Sequence, residues 1–509
     1  METLEVLEKE QHDAAPTSAV DTSAGNGSRW RSVWRLHFYA GIFSMPFIVL
    51  MALTGLVILY SQPIHDLTQG DIRTVAPGQT LVSFDEQEKA VELAYPDVAV
   101  TGVTMPADRH HSTIFTLDDA SKAGLEVMVN PYTGKVLGTN KPGSGIVGLA
   151  NRLHGFSNNN SITVPLPTIS ALWDHDAVMR DYVVGDLALE VMGGWTLVLV
   201  LSGVYLWWPR KSATGKNTRK YFGLRRGTKG RARWRDLHGM SGVLLLGAIL
   251  LTIVSGMAWS TYWGPNFSAL ANKISPNSWT DTPPSVLGTK GAIDRLGNQI
   301  PWNTGDKPIP ASYAPTSADG TMPAPLSLDA VVKIASLEGM KPGYSITFPS
   351  NIKDDTTGSM VYGSFVVSNS WPRKTGEARD VFLDQFSGEH LGSNETYGLG
   401  KVSYAMDTLV STHMGTQLGI ASRIVMTALC ILSIWSVISA AVMYSKRRRK
   451  GSLGLPRRPV NVQMARGVGV IAIILGIVYP IWGVSALLIL GFDKYIVRRT
   501  GLRRAFGQR

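Results

Sequence analysis

The sequence predicts an all-α membrane bundle of four main transmembrane helices plus a C-terminal hydrophobic hairpin. Two small α+β domains lie outside the membrane, and the whole is an internal two-fold repeat. Three observations predict this. Long apolar runs free of charge recur at Phe38–Tyr60, Val191–Trp208, Gly239–Trp263, Ile424–Ser445 and Gly467–Phe492. Basic residues collect between alternate runs, and the two halves of the chain match at several motifs.

A helix needs roughly 20 apolar residues to cross the hydrocarbon core, so the first four runs each read as a span. A buried helix of a soluble protein explains one such run, not several. The spans fall at 30–60, 187–208, 237–263 and 417–445. The last run is interrupted by Tyr479-Pro480 and Gly483 and has arginines on both flanks. Proline breaks a helix and basic flanks prefer one side of the membrane. Residues 466–497 therefore read as a hairpin of two short helices.

Charge assigns the sides. Pro209–Asp236 holds eleven Lys or Arg against one acid, and Lys446–Lys450 reads KRRRK. Such clusters favour the cytoplasm, which makes 209–236 and 446–465 inside loops and 498–509 an inside tail. Residues 61–186 carry eight basic and fifteen acidic side chains and 264–416 eleven and fourteen, so both long segments face outward. Residues 1–29 lack a basic signal region and read as a disordered cytoplasmic tail before an uncleaved anchor. With the basic residues so disposed, the net charge of +11 is a topology signal, and no nucleic acid is expected as a partner.

The repeat carries most information. Trp34-Arg35-Leu36-His37 aligns with Arg235-Asp236-Leu237-His238, which sets Gly41 opposite Gly242 and Thr54-Gly55 opposite Ser255-Gly256. Outside the membrane, Asn130–Gly138 matches Asp384–Gly392, each with a glycine suited to the tight turn of a hairpin. Short helical patterns precede them at Glu86–Ala94 and Leu328–Leu337.

After each outside segment comes a further histidine next to, or one residue from, a glycine: His154 and His413. The repeat thus gives two pairs, His37 with His238 at the inner ends of spans one and three, and His154 with His413 near the outer ends of spans two and four. If the halves pack about an axis along the membrane normal, each pair faces itself, the arrangement of bis-histidine haem ligation in a helical bundle. Intramembrane ionisable residues are costly and mark function, and neutral imidazole suits iron. The glycines one turn after His37 and His238 leave room for a flat macrocycle. The expected cofactors are two non-covalent haems b, since no CxxCH motif is present for covalent attachment. A helix of some 20 residues spans roughly 30 Å, so the two sites would relay electrons between faces. The bland alternative is that each histidine bonds a headgroup or carbonyl. His175, in Trp173-Asp174-His175-Asp176, is the substitute ligand for His154, although its acidic neighbours equally suit a solvated loop.

Other residues are less specific. Cys430, the single cysteine, lies in a span and leaves no structural disulfide. His110-His111 is an exposed pair able to touch a metal substrate. Glu190 reads either as a proton carrier or as a side chain snorkelling to the interface. No dinucleotide fingerprint, P-loop or hydrolase triad is present, so no catalytic side chain is assigned.

These motifs resemble the PepSY-associated transmembrane (PepSY_TM) family over about residues 30–497. The resemblance rests on Trp34–His37 with Thr54-Gly55, on Leu201–Pro209, on Trp234–Gly239 and on His413–Gly419, and the Asn130–Gly138 and Asp384–Gly392 turns are similar to the end of a PepSY domain. It implies a bacterial iron-regulated inner-membrane protein with periplasmic PepSY domains, similar to ferric-siderophore reductases. The expected substrate is a periplasmic ferric siderophore, and the electron donor is an unknown cytoplasmic reductase or a quinol. The 155–184 insertion and the Pro-rich 275–325 stretch depart from compact members and bear on the outer site and the substrate pocket. A second reading is a non-redox accessory whose PepSY domains bind a peptide, protease or transport partner. A third, a permease site for copper or iron on the four histidines, is disfavoured by their placement at opposite faces.

Overall fold

A computed structural model describes residues 22–118, 124–156, 161–168, 179–208, 227–260, 262–277, 309–313, 323–369, 373–447, 466–492 and 494–495. His175, most of the 209–236 and 446–465 loops, most of the 275–325 stretch and the 498–509 tail lie outside the described residues. In chain order the α-helices of eight or more described residues are α1 Thr22–Leu59, α2 Ser61–Thr68, α3 Phe84–Ala94, α4 Gly145–Phe156, α5 Val184–Trp207, α6 Gly230–Met257, α7 Trp263–Ile274, α8 Leu328–Leu337, α9 Lys401–His413, α10 Ile420–Arg447, α11 Arg466–Val478 and α12 Pro480–Phe492. Four are long and apolar enough to cross a membrane: α1 from Arg29, α5, α6 and α10. The last apolar run breaks at Tyr479 into α11 and α12, as Pro480 dictates.

Contacts divide the chain into two compact units. One comprises residues 1–44, 194–240 and 440–509, the other 45–193 and 241–439. Among the described residues the first unit has helices and no strand. Trp195 of α5 packs edge-on against Trp482 of α12 at 5.7 Å and donates its indole N–H to Ser485. A Cβ on Gly194 would lie 2.5 Å from the Trp482 ring, so glycine is what lets α12 sit this close.

The second unit holds an eight-stranded antiparallel sheet in the order β12-β11-β10-β7-β1-β2-β3-β4. Its strands are β1 Val100–Thr104, β2 Thr113–Leu117, β3 Leu125–Val129, β4 Val136–Asn140, β7 Ser345–Thr347, β10 Ser364–Ser368, β11 Arg379–Asp384 and β12 His390–Glu395. Each long extramembrane segment supplies four of these strands, β1 to β4 from the first and β7, β10, β11 and β12 from the second. The two sets join at β1–β7, where Val103 faces Ile346 and a Cβ on Gly102 would press to 2.7 Å from the Ile346 carbonyl oxygen. One core serves both sets. Val91, Val103, Phe115 and Val127 pack with Val331, Ile346, Phe365 and Val381, and α3 and α8 contribute to the same cluster.

Local geometry recurs in the two sets. The β3–β4 turn closes with Gly134 N–H donating to Asn130 O at 2.9 Å, and the β11–β12 turn with Gly388 N–H donating to Asp384 O at 3.0 Å. Both glycines have a positive φ, 67° and 75°, where a Cβ is strained. Ser83 and Ser327 cap α3 and α8 through their hydroxyls. Asp329 accepts from the Phe84 N–H at 2.8 Å while Asp85 accepts from the Asp329 N–H at 3.1 Å, so each helix helps cap the other.

Two short hairpins complete the strands. β5 Thr163–Pro167 pairs with β6 Met179–Val183, and β8 Ile352–Lys353 with β9 Met360–Val361.

Candidate functional site

The first pair lies in the helical unit. His37 of α1 and His238 of α6 have ring centroids 6.4 Å apart at an interplanar angle of 71°. The Nδ1–H of His37 donates to the Leu199 carbonyl and the Ser202 hydroxyl of α5, both at 3.0 Å. A carbonyl can only accept, and the Ser202 hydrogen is itself directed at Leu199 O. The proton of His37 is therefore on Nδ1 and the lone pair on Nε2. A Cβ on Gly203 would stand 3.2 Å from His37 Cε1, so this glycine admits the ring.

His154 and His413 form the second pair, with centroids 6.3 Å apart and planes at 64°. The sequence sets them near the ends of spans two and four. In the structure each stands in the last turn of a separate short helix that precedes the span, α4 or α9. Twelve or thirteen residues are too few for a span, and α9 is stopped by Gly415 at φ 72°, where a Cβ would also strike Leu59 at 2.5 Å.

The hydroxyls of α1 and α6 fix these rings. Thr54 Oγ1 stands 2.9 Å from His154 Nδ1, and Ser255 Oγ 2.8 Å from His413 Nδ1. Each hydroxyl spends its own hydrogen on a carbonyl one turn back, Leu50 O or Leu251 O, both at 2.7 Å. The imidazoles must then be the donors, again leaving Nε2 unprotonated. Gly55 and Gly256, the next residues, approach His154 Cε1 and His413 Cε1 at 3.5 and 3.7 Å from their virtual Cβ positions. Burial pushes His154 down to about 4, and burial with repulsion from His154 pushes His413 down to about 3, so both rings are neutral near pH 7.

The glycines one turn after the first pair have no histidine ring within 4 Å of their virtual Cβ positions. Gly41 packs toward Leu199 at 3.5 Å and Gly242 has nothing within 4 Å. The small pair at Thr54-Gly55 and Ser255-Gly256 was visible in the repeat, but its role as hydroxyl acceptor and ring platform was not. Sequence reading also missed the brace on the turn after His413. There Thr375 N–H donates to Gln417 Oε1 at 3.1 Å, the Thr375 and Ser411 hydroxyls meet at 3.0 Å, and Thr416 donates to Arg373 O at 2.9 Å. A polar Gln417 beside a ring-bearing turn was the available signal.

Chemically, each pair offers two imidazoles, and His37, His154 and His413 carry their proton on Nδ1. An imidazole nitrogen lies about 1.1 Å from its ring centre and a metal–imidazole bond is about 2.0 Å, so two rings on opposite sides of one metal stand about 6.2 Å apart, centre to centre. Both observed spacings fit. Among the described residues no three or more His, Cys, Asp or Glu gather as an ion site. Two axial imidazoles suit an iron that brings its other donors with it, as haem does. Nδ1 bonds to protein acceptors are what orient such ligands.

His110 and His111 precede β2, with His111 bridged to Thr74, its Nδ1 2.7 Å from Asp108 and its Nε2 3.6 Å from Asp66. Glu190, read from sequence as snorkelling or proton-carrying, is 1% exposed.

Four apolar spans and an extramembrane sheet define a multi-pass membrane protein. The family described as PepSY-associated TM region matches residues 34–447, and the chain belongs to it. None of the curated proteins compared with the chain matches it.

Proposed function

We propose that the chain is a di-haem b electron-transfer protein of the bacterial inner membrane that reduces periplasmic ferric siderophores, Fe3+ to Fe2+. The observation that carries the reading is the pairing of imidazoles at bis-axial spacing, with Nδ1 of His37, His154 and His413 tied to protein acceptors. His37 and His238 would hold one haem and His154 and His413 the other. Bound there, each haem supplies a reversible one-electron couple whose potential is set by its ligands and burial.

The chain's own part is to hold and insulate. Leu199 O, Ser202, Thr54 and Ser255 fix the tautomers, while Gly203, Gly55 and Gly256 let helix backbones approach the rings. The charge pattern supports a cytoplasmic N-terminus, with electrons entering at His37 and His238 from a cytoplasmic reductase or a quinol. The ferric complex would dock near His154 and His413, and a ferrous ion, held weakly by such chelators, would leave. The recurring turns, serine caps and four-strand sets support reading the two extramembrane halves as duplicated PepSY units that share one sheet.

Absorption spectra of the oxidised and dithionite-reduced detergent-purified protein, with pyridine-haemochrome quantitation, test this on wild type, His37→Ala and His413→Ala. Two haems per chain, falling toward one in each variant, is the expected result. A colourless wild type from haem-replete cells sinks it and leaves the accessory role, in which the extramembrane domains bind a peptide, protease or transport partner.

A further inference from the structure

Glu190 is a carboxyl group in the middle of polar contacts that an ordinary span does not contain. Its Oε1 accepts the backbone N–H groups of Tyr262 and Trp263 at 3.0 and 2.9 Å, at the start of α7. Ser260 is its third partner. The Ser260 hydrogen is directed at the Met257 carbonyl at 2.8 Å, so toward Glu190 this hydroxyl offers a lone pair. A protonated carboxyl answers all three contacts: its carbonyl oxygen takes two N–H groups and its O–H goes to Ser260.

The place of this group is what gives it a role. Ser255 and Gly256, which hold His413, precede Ser260 by four to five residues, or about 8–10 Å at the rise of a tight turn. Three residues past Glu190, a Cβ on Gly193 would stand 3.5 Å from Met257 Sδ, which puts the two helices side by side at this level. Charge added at such range in a low-dielectric interior is strongly felt. On the other side Tyr262 packs on Tyr182 with centroids 4.9 Å apart, and Tyr182 belongs to β6, whose Met179, Arg180 and Asp181 are exposed. The titratable groups around Glu190 are these two tyrosines, Arg180 beside Tyr182, Asp186 one turn back on α5, and Asp407 and His413 on α9, which packs against α7.

Resting on the haem reading above, we propose that Glu190 is the proton partner of the His154–His413 site. One electron gained there is matched by one proton taken from the outer aqueous phase onto the Glu190 carboxylate, through the Tyr262–Tyr182 side. When the electron leaves for the ferric acceptor, the O–H bond breaks and the proton returns to water. Charge at the buried site is thereby balanced in both states.

Redox titration of the haem lost in His413→Ala, followed across pH in the holoprotein, tests this. In wild type the midpoint falls with rising pH by up to 59 mV per unit, the tenfold change in proton activity converted for a one-electron couple. Glu190→Gln keeps the oxygen that accepts the two N–H groups and makes the midpoint independent of pH. As a check that does not depend on the variant's folding, the redox-difference infrared spectrum of wild type gains a protonated-carboxyl C=O band on reduction. A fully haem-loaded wild type with a flat midpoint overturns the proposal alone, and so does a Glu190→Gln protein that keeps the wild-type slope, which is the behaviour of a mere helix cap. A colourless wild type overturns it together with the haem reading.

Discussion

At the scale of single residues, the hydroxyl partners of the histidines are the most exposed to test. Thr54→Val and Ser255→Ala each remove the acceptor of one Nδ1–H and leave it buried and unpaired. Loss of such an orienting contact weakens metal-site affinity by about 10–100-fold. Haem titration into the apoprotein should show that loss at the second site only, with Ser255→Thr restoring most of it. Glu88 on α3 gives a pH prediction of known sign. Desolvation, then repulsion from Glu92 and Asp85, raises its carboxyl from 4.5 to about 7. An acid with a raised folded value contributes stability that is complete below the unfolded value and is lost as pH climbs through the folded one. The thermal midpoint of wild type should therefore decline between about pH 4.5 and 7 relative to Glu88→Gln. Above that window the variant is the more stable; below it the two coincide.

Among the elements, the C-terminal hairpin depends on one glycine. The indole of Trp482 is 4% exposed, and the Gly194 backbone is its floor. Gly194→Ala sets a methyl 2.5 Å from two ring atoms, and a rigid indole between Trp195 and α5 has nowhere to swing. Overpacking of this kind costs about 1–3 kcal/mol. Limited proteolysis should then cut within α11–α12 under conditions that spare the wild type, while Trp482→Phe combined with Gly194→Ala relieves the effect. The elements divide cleanly into those that sequence makes legible and those that it hides. Hydropathy located the four long helices, and Tyr479-Pro480 located the hairpin break, because each is a local pattern. The fixed offsets of the repeat named the four histidines that the structure brings together as two pairs. The short helices α4 and α9 were not seen, since their 12 and 13 residues carry neither span-length hydropathy nor a strong cap, and the rings they carry are fixed by hydroxyls 100 and 158 positions away in the chain.

For the whole molecule, the joining strand pair is the decisive contact, and sequence reading had no access to it. β1 and β7 are separated by some 240 residues and two spans, and nothing in the short stretch Ser345–Thr347 announces its partner. What the pairing does is make one core out of two segments: Val103 and Phe115 from one lie with Ile346 and Phe365 from the other, all at most 4% exposed. Burying such side chains is worth about 1.5–3 kcal/mol each, and neither set of four strands would keep that core covered alone. The halves should therefore stay together without a peptide link. With a specific protease site placed within residues 209–226 of the full chain, cleavage after purification should leave both fragments in one size-exclusion peak in mild detergent. Gly102→Val, which drives a branched side chain into the Ile346 carbonyl, should lower the temperature at which the nicked halves part by several degrees. Fragments that separate at once on cleavage, with wild-type Gly102, would mean that the shared sheet is not what holds the two halves.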